Sequence, residues 1–161
     1  AHDGNVTVWF PQADLQLRLP PSLGADRLLG SDLTYDDLLS LGGELDGMVA
    51  LDRGTVERAG EDCHHVVLVP GLPRISLADE IHVFLAVSDG RPVAQETRTR
   101  HGELVRSIDM ERGSNPSVPL PIRWTARTGT LSETTLTFVL FEFDPVVDPG
   151  LFTTTGLSLW R

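Results

Sequence analysis

The sequence predicts one α+β domain that is mainly β, a curled antiparallel sheet with one main helix packed on its concave face. Three observations lead to this fold class. Short apolar runs alternate with polar residues at a period of two, which is typical of strands. Short turns join successive runs, so neighbouring strands pair antiparallel. Only one stretch has the spacing of a helix with both ends marked. The length of 161 residues is enough for one domain with a real core.

The helix is predicted within residues 29–43. Thr34 is a suitable N-cap, because its hydroxyl can accept from the free backbone N–H three residues on. Asp36 and Asp37 place negative charge at the positive end of the helix dipole. Gly42 and Gly43 supply the left-handed stop. Apolar side chains at three- and four-residue spacing give the helix one face for packing on the sheet: Tyr35, Leu38 and Leu41.

The strand pattern starts with two half-buried runs at residues 6–10 and 15–19, each ended by proline. Residues 62–69 carry apolar side chains on both faces, which predicts a central, covered strand. The most apolar candidate covers residues 134–143. We count about eight or nine strands, near the size at which a sheet curls or closes. The remaining candidates are residues 48–58, 81–87, 93–100, 104–110 and 122–127.

Composition and charge exclude several classes of function. The formal net charge of -10 argues against binding to nucleic acid and to anionic membrane surfaces, since both need basic patches. No run approaches the roughly 18 apolar residues of a membrane span, so no stable membrane insertion is expected. The given chain contains no signal peptide. Its lone cysteine, Cys63, cannot form an internal disulfide.

The sequence contains no pattern of residues that supports a catalytic or a metal-binding site. Ser31 lies before a helix cap rather than after a strand, and no nucleophile elbow surrounds it, so a hydrolase is the weakest hypothesis. His64 and His65 are neighbours on a predicted strand and point to opposite faces, so they cannot readily share one ion. The pair Asp36 and Asp37 is explained by the helix start. We therefore expect no enzyme activity, no metal and no cofactor.

One polar motif carries a resemblance. The run Gly30-Ser31-Asp32-Leu33-Thr34-Tyr35-Asp36-Asp37-Leu38 resembles the Gly-Ser-Asp-Phe-Thr-Tyr-Glu-Asp-Leu signature of the outer-membrane lipoprotein-sorting (LolA-like) family, with mild departures at Leu33 and Asp36. Segments in the family's order follow at residues 89–92, 101–104 and 143–152. The resemblance implies that residues 1–161 form a single LolA-like domain, the C-terminal two-thirds of the full family domain. The motif residues are Gly30, Ser31, Asp32, Thr34, Tyr35 and Asp37. They hold the helix at one angle, fix a lid over a cavity, or do both.

The resemblance also implies a function. It predicts an unclosed half-barrel that shelters lipid or lipoprotein acyl chains, that is, a non-catalytic periplasmic carrier. A curved sheet under one helix leaves more apolar wall than the helix can cover, which is a physical motive for an apolar ligand. The alternative is a structural or protein-interaction domain of the cell envelope without lipid cargo. The expected cavity lining is Trp9, Tyr35, Leu38, Phe84, Trp124, Phe138, Leu140 and Phe141.

A further expectation concerns the first strand. Members of this family have a helix and several strands before the point that corresponds to Ala1. The strand at residues 6–11 would then keep an unpaired edge, and such edges recruit other chains. This predicts a homodimer or completion of the sheet by another polypeptide.

Overall fold

The fold was obtained as a computed structural model that describes residues 6–10, 13–19, 23–24, 26–40, 48–70, 80–113, 121–130 and 132–140, with residues 146, 148, 150, 153 and 156. A 3-10 turn, Leu28–Gly30, precedes the helix α1, Tyr35–Ser40. Among the described residues, no helix is long and apolar enough to cross a membrane. The strands are β1 Val6–Phe10, β2 Leu15–Leu19, β3 Met48–Arg58, β4 Glu61–Pro70, β5 Glu80–Ala86, β6 Pro92–Arg98, β7 Leu104–Glu111, β8 Arg123–Thr128 and β9 Ser132–Thr137.

The strands form two antiparallel sheets. β1 pairs with β2, and β3 to β9 form a seven-stranded sheet in which every strand pairs with the next one in the chain. This meander confirms the predicted fold class. In the described part of the chain β3 and β9 are the outer strands and do not pair with each other, so that sheet is not a closed barrel.

The register of the strands defines two faces of the large sheet, because directly paired residues point to the same side. One row of paired residues is Val83, Gln95, Ile108, Ala126 and Thr134, and we call its side the motif face. The next row has the other orientation, and we call its side the opposite face; it consists of Phe84, Ala94, Asp109, Thr125 and Thr135.

Each face carries its own buried apolar cluster. On the opposite face the cluster is Cys63, Phe84, Ala86, Val93 and Ala94. A bulge in β6 lets the consecutive residues Val93 and Ala94 both join it, since a bulge re-aims one side chain. On the motif face the buried members are Leu33, Ile108, Trp124 and Ala126. Leu33 comes from the loop before α1, so this second cluster ties that loop to the sheet.

Two strand predictions can be compared directly with the structure. β4 lies inside the sheet, and both Val67 and Leu68 are buried on opposite sides of it, as the pattern predicted. The strand predicted at residues 134–143 is wrong over residues 138–140, because β9 stops at Thr137, and residues 141–143 lie outside the described residues. Val139 and Leu140 beyond it are 93% and 80% exposed. The predicted glycine stop at Gly42 and Gly43 lies outside the described residues.

The outer strand β3 is interrupted in the middle. Its register with β4 shifts between Asp52 and Thr55. Gly54 there has φ +85°, a left-handed conformation that favours glycine, and its N–H donates to Asp52 Oδ1 at 2.8 Å. A bulge of this kind bends the edge and makes it a poorer template for another strand.

Candidate functional site

The motif loop first closes on itself. Leu29 and Gly30 both have positive φ, and the chain returns so that Arg27 and Thr34 form an antiparallel bridge. The N–H of Leu28 donates to the carbonyl of Leu33 at 2.7 Å. Ser31 Oγ accepts from the N–H of Leu33 at 3.2 Å, a short-range bond typical of serine in turns. The loop is therefore a compact unit before it meets the sheet.

The start of α1 is a reciprocal capping box. The N–H of Asp37 donates to Thr34 Oγ1 at 3.3 Å, and the N–H of Thr34 donates to Asp37 Oδ2 at 2.6 Å. This confirms Thr34 as the N-cap. The next two N–H groups, of Tyr35 and Asp36, donate to backbone carbonyls of the preceding loop. The capping box fixes the direction in which the helix leaves the loop.

Asp37 is also one half of a buried ion pair. Its carboxylate, 3% exposed, receives both terminal nitrogens of Arg106 on β7, with Nη2 at 2.8 Å from Oδ1. The other terminal nitrogen of Arg106, Nη1, also donates to the backbone carbonyl of Asp32 at 3.4 Å. Bidentate arginine–carboxylate pairs add geometric specificity to charge. This pair fastens the helix start to the middle of the sheet.

Asp32 makes the second polar attachment, to β9. Ser132 Oγ donates to its Oδ1 at 2.6 Å, and Thr134 Oγ1 donates to its Oδ2 at 3.1 Å. The backbone N–H of Asp32 donates to Thr134 Oγ1 at 2.9 Å. The hydrogen bond from Ser132 is the main reason that the pKa of Asp32 lies below its ordinary value, although burial acts the other way. The carboxylate is therefore held in its charged form.

Leu33 fills the space between these two acidic residues. It is buried against Ile108, Trp124 and Ala126, and the ring of Phe138 meets Trp124 edge to face at 5.9 Å. The indole N–H groups of Trp9 and Trp124 are buried and have no hydrogen-bond partner within the described part of the chain. We call the combination of Asp32, Leu33 and Asp37 with their partners on β7 and β9 the motif clamp.

On β4 and β5 the motif face carries no such attachments from the residues that the structure describes. Five aliphatic side chains line it there, and we call them the aliphatic patch: Val66, Leu68, Ile81, Val83 and Leu85. Leu68 is buried, whereas the other four are half-buried and so keep part of their surface accessible. The patch and the motif clamp are separated by β6, where Gln95 and Thr97 point to the motif face.

The structure places the predicted cavity residues in different surroundings. Trp124 and Phe138 lie together on the motif face. Phe84 lies on the opposite face, so it does not share a wall with Trp124, and that grouping needs correction. Leu140 is largely exposed. Trp9 and Tyr35 are half-buried, the side chain of Leu38 and all of Phe141 lie outside what the structure describes, and a common cavity for these residues stays a prediction.

The sequence did not single out the clamp's partners on the sheet, Arg106, Ser132 and Thr134. A signal for Arg106 was available, because it lies two residues before Ile108 on a strand whose inward side was predicted. Ser132 and Thr134 flank a turn and resemble ordinary strand residues. Only the antiparallel pairing of β7, β8 and β9 brings them under the motif.

This meander sheet, with a polar motif clamped to one face, is similar in fold to solved structures. A protein of the DUF1329 family from Desulfovibrio piger superposes with a TM-score of 0.80 at 15% identity, over 95% of this chain and 64% of its own. A domain described as an outer membrane lipoprotein-sorting protein, from Vibrio parahaemolyticus, gives 0.81 at 16% identity, over 96% and 66%.

A LolA superfamily protein from Nitrosomonas europaea is similar at a TM-score of 0.57 and 17% identity, over 82% of this chain and 58% of its own. Neither a protein-family model nor a curated protein matches the sequence. These superpositions, and not the low identities, show the fold that the motif predicted. The chain spans just under two thirds of the length of the first two neighbours.

Proposed function

We propose that this domain is a non-catalytic binding protein for the acyl chains of lipids or lipoproteins, acting in the periplasm. The observation that carries the proposal is the aliphatic patch. Four of its members, Val66, Ile81, Val83 and Leu85, stay half-buried on the same face that receives the motif clamp. Contiguous apolar surface that stays accessible is a feature of ligand-binding and interaction sites. The fold shared with a lipoprotein-sorting domain supports the same choice.

Acyl chains suit this surface because they need no directional partner. Each methylene that leaves water contributes about 0.8 kcal/mol, so a chain of ordinary length can bind without an ion pair. Only Gln95 and Thr97 interrupt the aliphatic lining toward the clamp, and neither is charged.

The serine of the motif supports a structural role. Its hydroxyl accepts from the backbone of Leu33 within the loop, and the loop is held to the sheet by Asp32 and Asp37. A nucleophilic serine would need a base within hydrogen-bond reach, and Ser31 is bonded to the backbone instead. Binding without turnover fits this arrangement.

The two-stranded sheet of β1 and β2 is the proposed site of assembly with another chain. In the described part of the chain β1 pairs only with β2, and an isolated pair of strands is marginally stable. We propose that a second copy or another polypeptide adds to this pair. Light scattering should then give more than one chain per particle, or a monomer that recruits a partner. A lone monomer with a solvated β1 edge would refute this part.

Extraction of the purified protein followed by mass spectrometry tests the binding function. We expect fatty-acyl lipid to be recovered, and we expect a fluorescent fatty acid to bind after delipidation. If no lipid is recovered and the probe does not bind, the domain is an interaction module of the envelope instead. Hydrolysis of an ester substrate that Ser31→Ala abolishes would contradict the non-catalytic assignment.

A further inference from the structure

Two histidines meet on the face that the motif does not touch. His65 on β4 pairs with Phe84 on β5, and its ring lies on the ring of Phe84 with centroids 4.8 Å apart. Its Nε2 is 2.9 Å from Nδ1 of His82, which is two residues before Phe84. The other ring nitrogen of His82 is 3.1 Å from Glu80 Oε2. Three side chains therefore form one hydrogen-bonded chain across two strands.

The carboxylate at the end of that chain determines the hydrogen on one ring nitrogen. The ionised carboxylate of Glu80 can only accept, so Nε2 of His82 carries a hydrogen. A neutral His82 then has its lone pair on Nδ1, and His65 must donate from Nε2. Both rings are neutral in this arrangement. If both become protonated, Nδ1 of His82 and Nε2 of His65 are both donors, and the bond between them is lost.

The surroundings of the pair are rich in positive charge. From β3, Arg53 acts on His65, and the Arg58 guanidinium lies 5.2 Å from the centre of the Phe84 ring. From β6, Arg98 adds a third cation. A second proton on the pair therefore meets like charge from both neighbouring strands.

Two carboxylates face the pair, and both already have partners. Glu96 on β6 is buried, and it pairs with Arg58 at 2.8 Å and Arg98 at 2.6 Å. Glu80 is bonded to His82. The charge of Glu96 favours protonation of His65, but burial of the ring and the nearby positive charges outweigh it. Burial first, and then the charge of His82, lower the pKa of His65 below its ordinary value of 6.5.

We propose that the His65–His82 pair is a pH-sensitive latch that holds β4 and β5 together on this face at neutral pH and releases on acidification. The sign follows from the lowered pKa of His65. The unfolded chain takes up the proton at a higher pH than the folded chain does, so stability is complete above about pH 6.5 and falls as the pH decreases.

Unfolding as a function of pH tests the latch, with His65→Gln compared with His64→Gln. His64 is the adjacent residue, is exposed and points to the motif face, so it is a matched control. Between pH 7.5 and pH 5, we expect the unfolding constants of the wild type and His64→Gln to rise together. The rise attributable to His65 is at most about tenfold per pH unit, the limit for one proton. His65→Gln should show a flatter curve, and parallel curves for all three proteins would overturn the proposal.

A titration of the wild-type imidazole resonances by NMR remains informative if His65→Gln does not fold. We expect His65 to titrate below its ordinary pKa of 6.5, and the ring resonances of His82 to shift in the same step because the two rings share a hydrogen bond. Titration of His65 at its ordinary pKa of 6.5, with no accompanying change at His82, would show that the pair is not a latch.

Discussion

The motif face of the sheet is built in two different ways. Over β7 to β9 it is covered by the motif clamp, which combines a buried ion pair, a hydrogen-bonded carboxylate and the buried side chain of Leu33. Over β4 and β5 it presents the aliphatic patch, whose members are mostly half-buried. Polar contacts fix geometry because they are directional, and aliphatic contacts leave it adaptable. One half therefore positions the loop and helix, and the other half is the one that we propose as the binding surface.

Substitutions in the motif clamp should lower the unfolding free energy more than substitutions elsewhere on the sheet. Arg106→Ala leaves the carboxylate of Asp37 buried without its cation, and removing one partner of such a pair costs about 3–5 kcal/mol of unfolding free energy. Arg127→Ala is the control, because Arg127 pairs with Asp109 and Glu133 on the exposed opposite face. Its cost should stay below about 1 kcal/mol. Urea denaturation measures the unfolding free energy of both variants. Equal losses in the two would contradict a special role of the ion pair in the clamp.

Asp32→Asn should have the next largest effect and a defined pH dependence. Hydrogen bonds to a charged group are worth about 1.5–3 kcal/mol each, so we expect a loss of about 2 kcal/mol at pH 7. The lowered pKa of Asp32 makes its contribution complete above the ordinary value of 3.8 and lost as the pH falls further. The denaturation midpoints of wild type and variant should converge as the pH falls below 3.8. A constant difference between them at all pH values would contradict this account.

Val83→Asn should change binding more than stability. Val83 is half-buried in the aliphatic patch, so an amide there removes little packing and places a polar group against the ligand. We expect affinity for a fluorescent fatty acid to fall about tenfold, equivalent to roughly 1.4 kcal/mol. Val56→Asn on β3 is the control, since Val56 pairs with Cys63 and points to the opposite face. Equal losses of affinity in the two variants would argue against a site on the motif face.

The helix and its cap could be predicted because their signals are local. Thr34 and Asp37 are three residues apart, which is the spacing that a capping box requires. The meander followed from short turns between period-two runs. The positions of the strand faces across the sheet were harder, since a one-residue change in register moves every side chain to the other face.

The errors follow from that non-local information. Phe84 and Trp124 were grouped because both are aromatic, but the register of four successive strands puts them on different faces. Arg106 was not singled out, because arginine is mostly exposed and its burial depends on a carboxylate that is 69 residues away in the chain. The motif could therefore be found from local sequence, whereas its partners on β7 and β9 became visible only once the pairing of those strands was known.

Photo-crosslinking with a fatty acid that carries a diazirine on its acyl chain tests the central claim most directly. We predict that peptides from β4 and β5 are labelled, with adducts on the aliphatic patch around Val66, Ile81 and Val83, and that unlabelled fatty acid competes. Labelling confined to the opposite face around Phe84, or spread over the protein without competition, would contradict the account.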